Sequence, residues 1–417
     1  MKLTISTMTN SYQLRYLSGI ALLILLTTAI AQPTTADTLG LPFPQIRELD
    51  LPSSDPLLPP DTGRSLNSSE RQTLGMALDR LNEEGMVLLA AKNAEAAFII
   101  WAREVRLRQA LGPIEEVKAL GRVGALAWRE NQRTVLNQVI LRLSKLQQQI
   151  ESKLPRQSVE QLPVQFLQDL AQAYEAVRLI DPALQIHQQL LAHGRRVNEP
   201  ELEATSLETM ARLNWNWFRY PAAAQFYEEW LALLRSRGSI DHDRTKEIAI
   251  LKLLAVAYGE IGKWQQAILV QNQLIELYQR QSQRNLIPQV QIAMAGHYQR
   301  LNELNTAGKL YQSAYRLAIS LQQFTDAADA LKPLGNLYRS NQQWNDALII
   351  YEVLLELEQQ IYDTYGQMET YDQIGQIYEA KKAYGQARLA FDRGLRIAQQ
   401  LNVKQDYFQE KLEWMPQ

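Results

Sequence analysis

The 417-residue chain has no cysteine, and that absence excludes disulfides, a thiol nucleophile, thiolate-bound metal and a lipid anchor on cysteine. Histidine is scarce: His187, His193, His242 and His297 are the full set. Charge of one sign is lacking too, since 43 Lys and Arg stand against 45 Asp and Glu. Without a basic field or an acidic tail, nucleic acid and bulk electrostatic partners are excluded. There is no glycine-rich phosphate loop, GxSxG or HExxH, and no nucleophile and base share a recognisable spacing. The chain therefore reads as a non-enzyme, with no catalytic residues and no cofactor.

The first segment present is an export leader. Lys2 and Arg15 precede an uncharged apolar run, Leu17 to Ile30, and Ala29-Ile30-Ala31 offers a small-x-small cleavage site before Gln32. The run is about 14 residues, short of the roughly 20 needed to span the hydrocarbon core. Residues 1–31 are expected to be a signal peptide of an exported protein, with membrane association only through an uncleaved leader. Residues 32–66 are rich in Pro, Thr, Asp and Leu, and their prolines interrupt hydrogen bonding repeatedly, which predicts a disordered linker. An alternative is that Leu41 to Leu51, which carries Leu, Phe and Ile, docks on the first helices.

From residue 67 to 417 the apolar period is helical throughout, with Ser68 and Ser69 as N-cap candidates and a stripe starting at Leu74, Leu78 and Leu81. The segment repeats itself. A small residue recurs at Gly85, Gly124, Ala171, Ala211, Ala255, Ala295, Gly335 and Gly375. Twelve positions after each come Ala97, Leu136, Ala183, Ala223, Ala267, Ala307, Ala347 and Ala387, and four further on stand mostly large side chains such as Trp101, Tyr227, Tyr311, Tyr351 and Phe391. Units begin near 78, 117, 164, 204, 248, 288, 328 and 368, each a pair of helices with the break of the 328 unit near Asn341. Ala347 is expected to pack into the gap beside Gly335. Pro182 and Pro221 fall where second helices should start, whereas Pro333 falls inside a first helix and should kink it or delay its start. Residues 402–417 supply a final capping helix. The fold expected is all-α, a solenoid of about eight helix pairs plus the cap.

These residues resemble the tetratricopeptide repeat, best over 248–401, although the period is about 40 instead of the usual 34. The resemblance implies a scaffold that binds a protein or peptide along the face of its first helices. Carried over residue by residue, that face includes Arg212, Trp215, Lys252, Gln299, Arg300, Lys332, Asn336 and Arg339, followed by the acidic Glu369, Asp372 and Glu379. It suits an extended peptide with an acidic segment or a free carboxylate. Lys332 and Asn336 match two positions of the carboxylate clamp of some family members, but Gln373 stands where that clamp uses Asn, so the clamp is incomplete. Of Trp215 and Trp217, one should pack in the core and the other stay freer.

A narrower likeness, in export leader, Pro-rich linker and glutamine-rich repeats, is to cyanobacterial envelope proteins of the photosystem II assembly-factor type. It implies a periplasmic or thylakoid-lumenal assembly factor with a membrane-protein client, and binding or delivery of a divalent metal such as Mn. Asp241, His242 and Asp243 are weak candidate ligands, since the same trio also serves as a solvated turn and helix cap.

Overall fold

The computed structural model describes Leu49 and residues 55–59, 65–153, 163–236 and 242–416, all within one compact unit, Glu48–Gln417. Among them are seventeen α-helices and no strand. They are α1 (Ser68–Ala90), α2 (Ala94–Arg108), α3 (Pro113–Arg129), α4 (Arg133–Lys153), α5 (Val164–Ala176), α6 (Ile180–Val197), α7 (Pro200–Asn216), α8 (Tyr220–Ser236) and α9 (His242–Glu260). After these come α10 (Trp264–Arg280), α11 (Ile287–Arg300), α12 (Leu304–Ser320), α13 (Phe324–Ser340), α14 (Trp344–Gln360), α15 (Thr364–Ala380), α16 (Tyr384–Leu401) and α17 (Gln405–Glu413). Consecutive helices pack in pairs and each pair packs on the next, so the fold is an α-solenoid of helix pairs with α17 as its last layer.

The enlarged period has a simple local origin. Helices from α12 to α15 are 17 residues long and are joined by three-residue turns whose middle residue is left-handed. That residue is Ser282, Asn302, Gln322, Gln342, Tyr362 and Lys382 in succession, one every 20 residues, and Asn402 after α16 is left-handed at the same interval. In each turn two backbone bonds close the helix end. At Asn302, its N–H donates to the Gln299 carbonyl at 3.0 Å and the Glu303 N–H donates to the Tyr298 carbonyl at 2.9 Å. These are the two bonds of the Schellman motif, which satisfies carbonyls that otherwise lack donors. Turns within a unit and turns between units use the same geometry, so two helices and two turns give 40.

Packing between the helices corrects one expectation. Ala347 is fully buried, as are its counterparts from Ala97 to Ala387, but it does not fill the space beside Gly335. The Tyr351 ring does: a Cβ on Gly335 would stand 2.5 Å from Tyr351 Cε1. Phe391 lies over Gly375 in the same way, and Trp101 over Gly85. Glycine in the first helix is thus the seat of a ring from the second, and the alanine one turn earlier allows the close crossing. In α4, Leu136 takes the alanine position and stays only partly covered. There α3 leans on α5 instead, with Gly121 so close that a Cβ would stand 3.0 Å from Ala173 Cα.

Proline and cap positions are settled locally. Pro182 and Pro221 lie in the first turns of α6 and α8, where a missing N–H costs nothing. Pro333 is buried inside α13, which begins nine residues earlier, so this proline does not delay the helix start. The N-cap of α1 is Asn67, not either serine: its Oδ1 accepts from Glu70 N–H at 2.9 Å while Glu70 Oε2 accepts from Asn67 N–H at 2.8 Å. That reciprocal capping box needs an acceptor three residues before Glu70, a position only Asn67 holds.

Both ends of the stack are covered. Leu57, Leu58 and Leu66 pack against Leu74, Leu78, Leu107 and Leu111, and Arg103 holds Asp55 with two bonds of 2.9 and 2.8 Å. Leu49 is buried, and its carbonyl accepts from Gln109 Nε2. At the far end Phe408 of α17 is buried against Gly394 and lies 6.4 Å from the Phe391 ring.

Candidate first-helix binding face

The face nominated by the repeat register is built from residues on α7, α9, α11 and α13. Most of its polar side chains are engaged within the protein. Arg212 Nη2 donates to Glu175 Oε2 at 3.0 Å, Lys332 Nζ to Glu369 Oε2 at 2.8 Å, and Arg339 Nη1 to Gln376 Oε1 at 3.2 Å. Each bond spans 37 residues, which places all three at one joint of the repeat, between first helices of consecutive units. Burial alone would raise the Glu175 carboxyl, yet hydrogen bonds from His187 and Arg212 outweigh it and hold the acid below its ordinary value. Glu369 is likewise held down by Lys332 against the pull of desolvation, with Lys404 3.6 Å from its other oxygen.

Two further members serve the core. Asn336 Oδ1 accepts from the Tyr351 hydroxyl at 2.8 Å, and Gln299 Oε1 accepts from the Tyr311 hydroxyl at 2.6 Å. Burial pushes the Tyr351 hydroxyl up to about 12, so it keeps its proton and donates at any working pH. Trp215 packs edge-on against Tyr220 at 5.3 Å and joins the cluster around Tyr227, while Trp217 is 45% exposed. The tryptophan open to solvent is therefore the one outside the nominated set.

What stays open are Lys252 and Arg300. Both are exposed, and neither has an ion-pair partner among the described residues; Lys252 Nζ lies 5.9 Å from the centre of the Tyr278 ring. Val256, one turn after Lys252 on α9, is exposed as well. The histidine nearest Arg300 is closed off: His297 stacks on Trp264 with centroids 5.7 Å apart, and its Nδ1 lies 3.0 Å from Gln271 Oε1. Burial, with Arg300 adding, pushes this imidazole down to about 4, so it is neutral at pH 7.

The register did not foresee a concavity of about 320 Å³ lined by Arg339, Trp344, Gln376, Glu379, Ala380 and Lys411. Lys411 of α17 reaches Glu379 of α15 at 2.8 Å and closes one side of it. The repeat pattern places Arg339 and Glu379 on the first-helix face but does not mark the enclosure, because Lys411 belongs to α17, which is not part of any unit. Among the described residues no three His, Asp or Glu side chains converge on a point that would hold a metal ion. Asp241 lies outside the described residues, as do the side chains of His242 and Asp243, although His242 opens α9. No described helix is long and apolar enough to cross a membrane.

The tetratricopeptide repeat model matches residues 330–361. That span is the α13–α14 pair, the unit with Gly335 under the Tyr351 ring. The match covers one unit. No curated protein sequence is similar to the chain. Among solved structures, the chain is similar to BtubC (BKLC) from P. vanneervenii, with 19% identity over 54% of this chain and 92% of that one, at a TM-score of 0.41. It is also similar to the apo form of RapI, with 11% identity over 81% and 96% of the two chains and a TM-score of 0.41. The apo form of the quorum sensor NprR from B. thuringiensis gives 17% identity over 72% and 80%, at a TM-score of 0.36.

Proposed function

We propose that the chain is an exported, non-enzymatic scaffold that binds a protein or peptide segment along its first-helix face, centred on α9 and α11. The carrying observation is the contrast within that face. Arg212, Lys332 and Arg339 are taken up in joints between units, whereas Lys252 and Arg300 stay exposed with no ion-pair partner among the described residues, and Val256 is exposed one turn after Lys252. Exposed cations without an ion-pair partner, with an exposed valine on the same face, suit a segment that carries both carboxylates and aliphatic side chains. The tetratricopeptide match supports the same class of function, since such repeats present a groove and not a reaction centre. Export rests on the leader, and N-terminal sequencing of the mature chain from its native source should begin at Gln32.

The test is the double charge reversal Lys252→Glu with Arg300→Glu, followed by capture from a native extract and mass spectrometry. Bound proteins should be lost while the thermal melt stays within about 0.5 kcal/mol of the parent, as expected for exposed substitutions. Unchanged capture by the double variant refutes the assignment of this face.

A further inference from the structure

The second helices carry a surface that the binding face does not use. α14 holds four carboxylates and no Lys or Arg, while α16 holds three arginines and one aspartate. On α14, Ile349, Glu352 and Glu356 follow one another at three and four residues and form one exposed stripe, with Ile349 59% exposed. On α16, Leu389, Arg393 and Arg396 form the matching stripe, with Leu389 66% exposed. The two stripes coincide at two of their three points, while the point of Glu352 on α14 is held on α16 by Asp392. Ala347 and Ala387 are both fully buried and both helices pack on α15, so Ile349 and Leu389 occupy the same point of consecutive units, as do Glu356 and Arg396.

Neither Glu352 nor Glu356 has a hydrogen bond or ion pair among the described residues. Arg393 lies over the Tyr371 ring at 5.7 Å, and Arg396 meets only Asp392 of its own helix, at 2.8 Å. The acidic stripe therefore goes unanswered within the chain although a basic stripe stands one unit away.

We infer that this face is a self-association surface, on which a second copy of the chain docks about a two-fold axis lying between α14 and α16. The rotation sets the α14 stripe of each copy on the α16 stripe of the other. Glu356 then meets Arg396 twice and Ile349 meets Leu389 twice, while Glu352 comes up to Arg393 beside Asp392. A two-fold contact must be complementary to itself, and adjacent stripes of opposite charge satisfy that condition where one stripe alone would repel its copy. The preceding second helix, α12, is basic too, but it carries Lys309 at the position of Ile349 and Leu389. The α14 and α16 pair instead places an exposed apolar residue at that position on both helices, beside charges of opposite sign.

Sedimentation velocity on the full chain at tens of micromolar tests this. In low salt the parent should sediment as a dimer, and raising ionic strength from about 0.05 to about 0.5 M should weaken association about tenfold or more, because exposed ion pairs are screened. Glu352→Arg with Glu356→Arg makes both stripes basic, and Arg393→Glu with Arg396→Glu makes both acidic. Each variant alone should be monomeric with an unchanged helical spectrum. Mixed in equal amounts they should form a heterodimer, since the basic α14 of one then faces the acidic α16 of the other at both contacts. A monomeric parent in low salt overturns the inference, as does a parental dimer that either variant leaves intact. Two folded monomers that stay apart on mixing overturn it as well.

Discussion

Replacing Glu358 with Gln should remove a large pH dependence of stability. Glu358 sits near the end of α14 and is 2% exposed. One of its oxygens accepts from Thr370 Oγ1 of α15 at 3.1 Å, and the other is buried with no partner. Burial is the main cause that pushes this carboxyl up to about 8, with Asp363 and Glu369 adding and Thr370 and Lys332 opposing. In the unfolded chain the group titrates near its ordinary 4.5, so between that pH and about 8 the folded state binds a proton that the unfolded state has released. Stability therefore falls as pH rises through this window and levels off above it. At about 1.4 kcal/mol per pH unit the full loss is about 5 kcal/mol. Gln keeps the volume and the acceptor for Thr370 but cannot ionise. Urea unfolding followed by circular dichroism should give nearly equal midpoints for parent and Glu358→Gln near pH 5. By pH 9 the variant should be more stable by several kcal/mol. Because each layer of a solenoid is held by its neighbours, the parent's loss should fall first on the α14–α15 joint and appear as faster hydrogen exchange in α15 to α17 than in α13. Parallel pH profiles for the two proteins would refute the buried-acid reasoning.

Two further substitutions test the packing and the turns. Gly335→Ala gains helix propensity of about 1 kcal/mol, but its Cβ meets a Tyr351 ring pinned by the bond to Asn336, and overpacking of about 1–3 kcal/mol should leave a net loss in a thermal melt. Tyr362→Gly should raise stability by about 1 kcal/mol, because Tyr362 adopts a left-handed φ of 58° that a side chain disfavours. Its ring is 89% exposed, so little packing is lost; a lower melting temperature would show that the ring has a contact beyond solvent.

The pairing of helices, their number and their register were legible in the sequence. These depend on short-range spacing: an alanine or glycine at a crossing, a ring four residues on, and prolines such as Pro182 and Pro221 in first turns. The period of about 40 was legible as well, but its cause was not, since residues such as Gln322 and Tyr362 carry no sign of the left-handed turn that closes each helix. The backbone bonds of that turn close each helix in the same way, so successive turns from Ser282 to Asn402 stand 20 residues apart. The assignment of the ring, and not Ala347, to the seat above Gly335 also needed the coordinates, because both lie on the same side of α14 and spacing does not rank them.

The sequence by itself determined a stack of helix pairs, because each signature residue acts on neighbours within one unit. It nominated as well a set of positions, which stand on the first helices α7, α9, α11 and α13. Tertiary structure decided which of those positions are free. Arg212, Lys332 and Arg339 look like Lys252 and Arg300 in one dimension, and they differ only in meeting a partner 37 residues away when consecutive units turn by the amount the packing imposes. That rotation comes from the summed fit of buried side chains, and no local pattern encodes it.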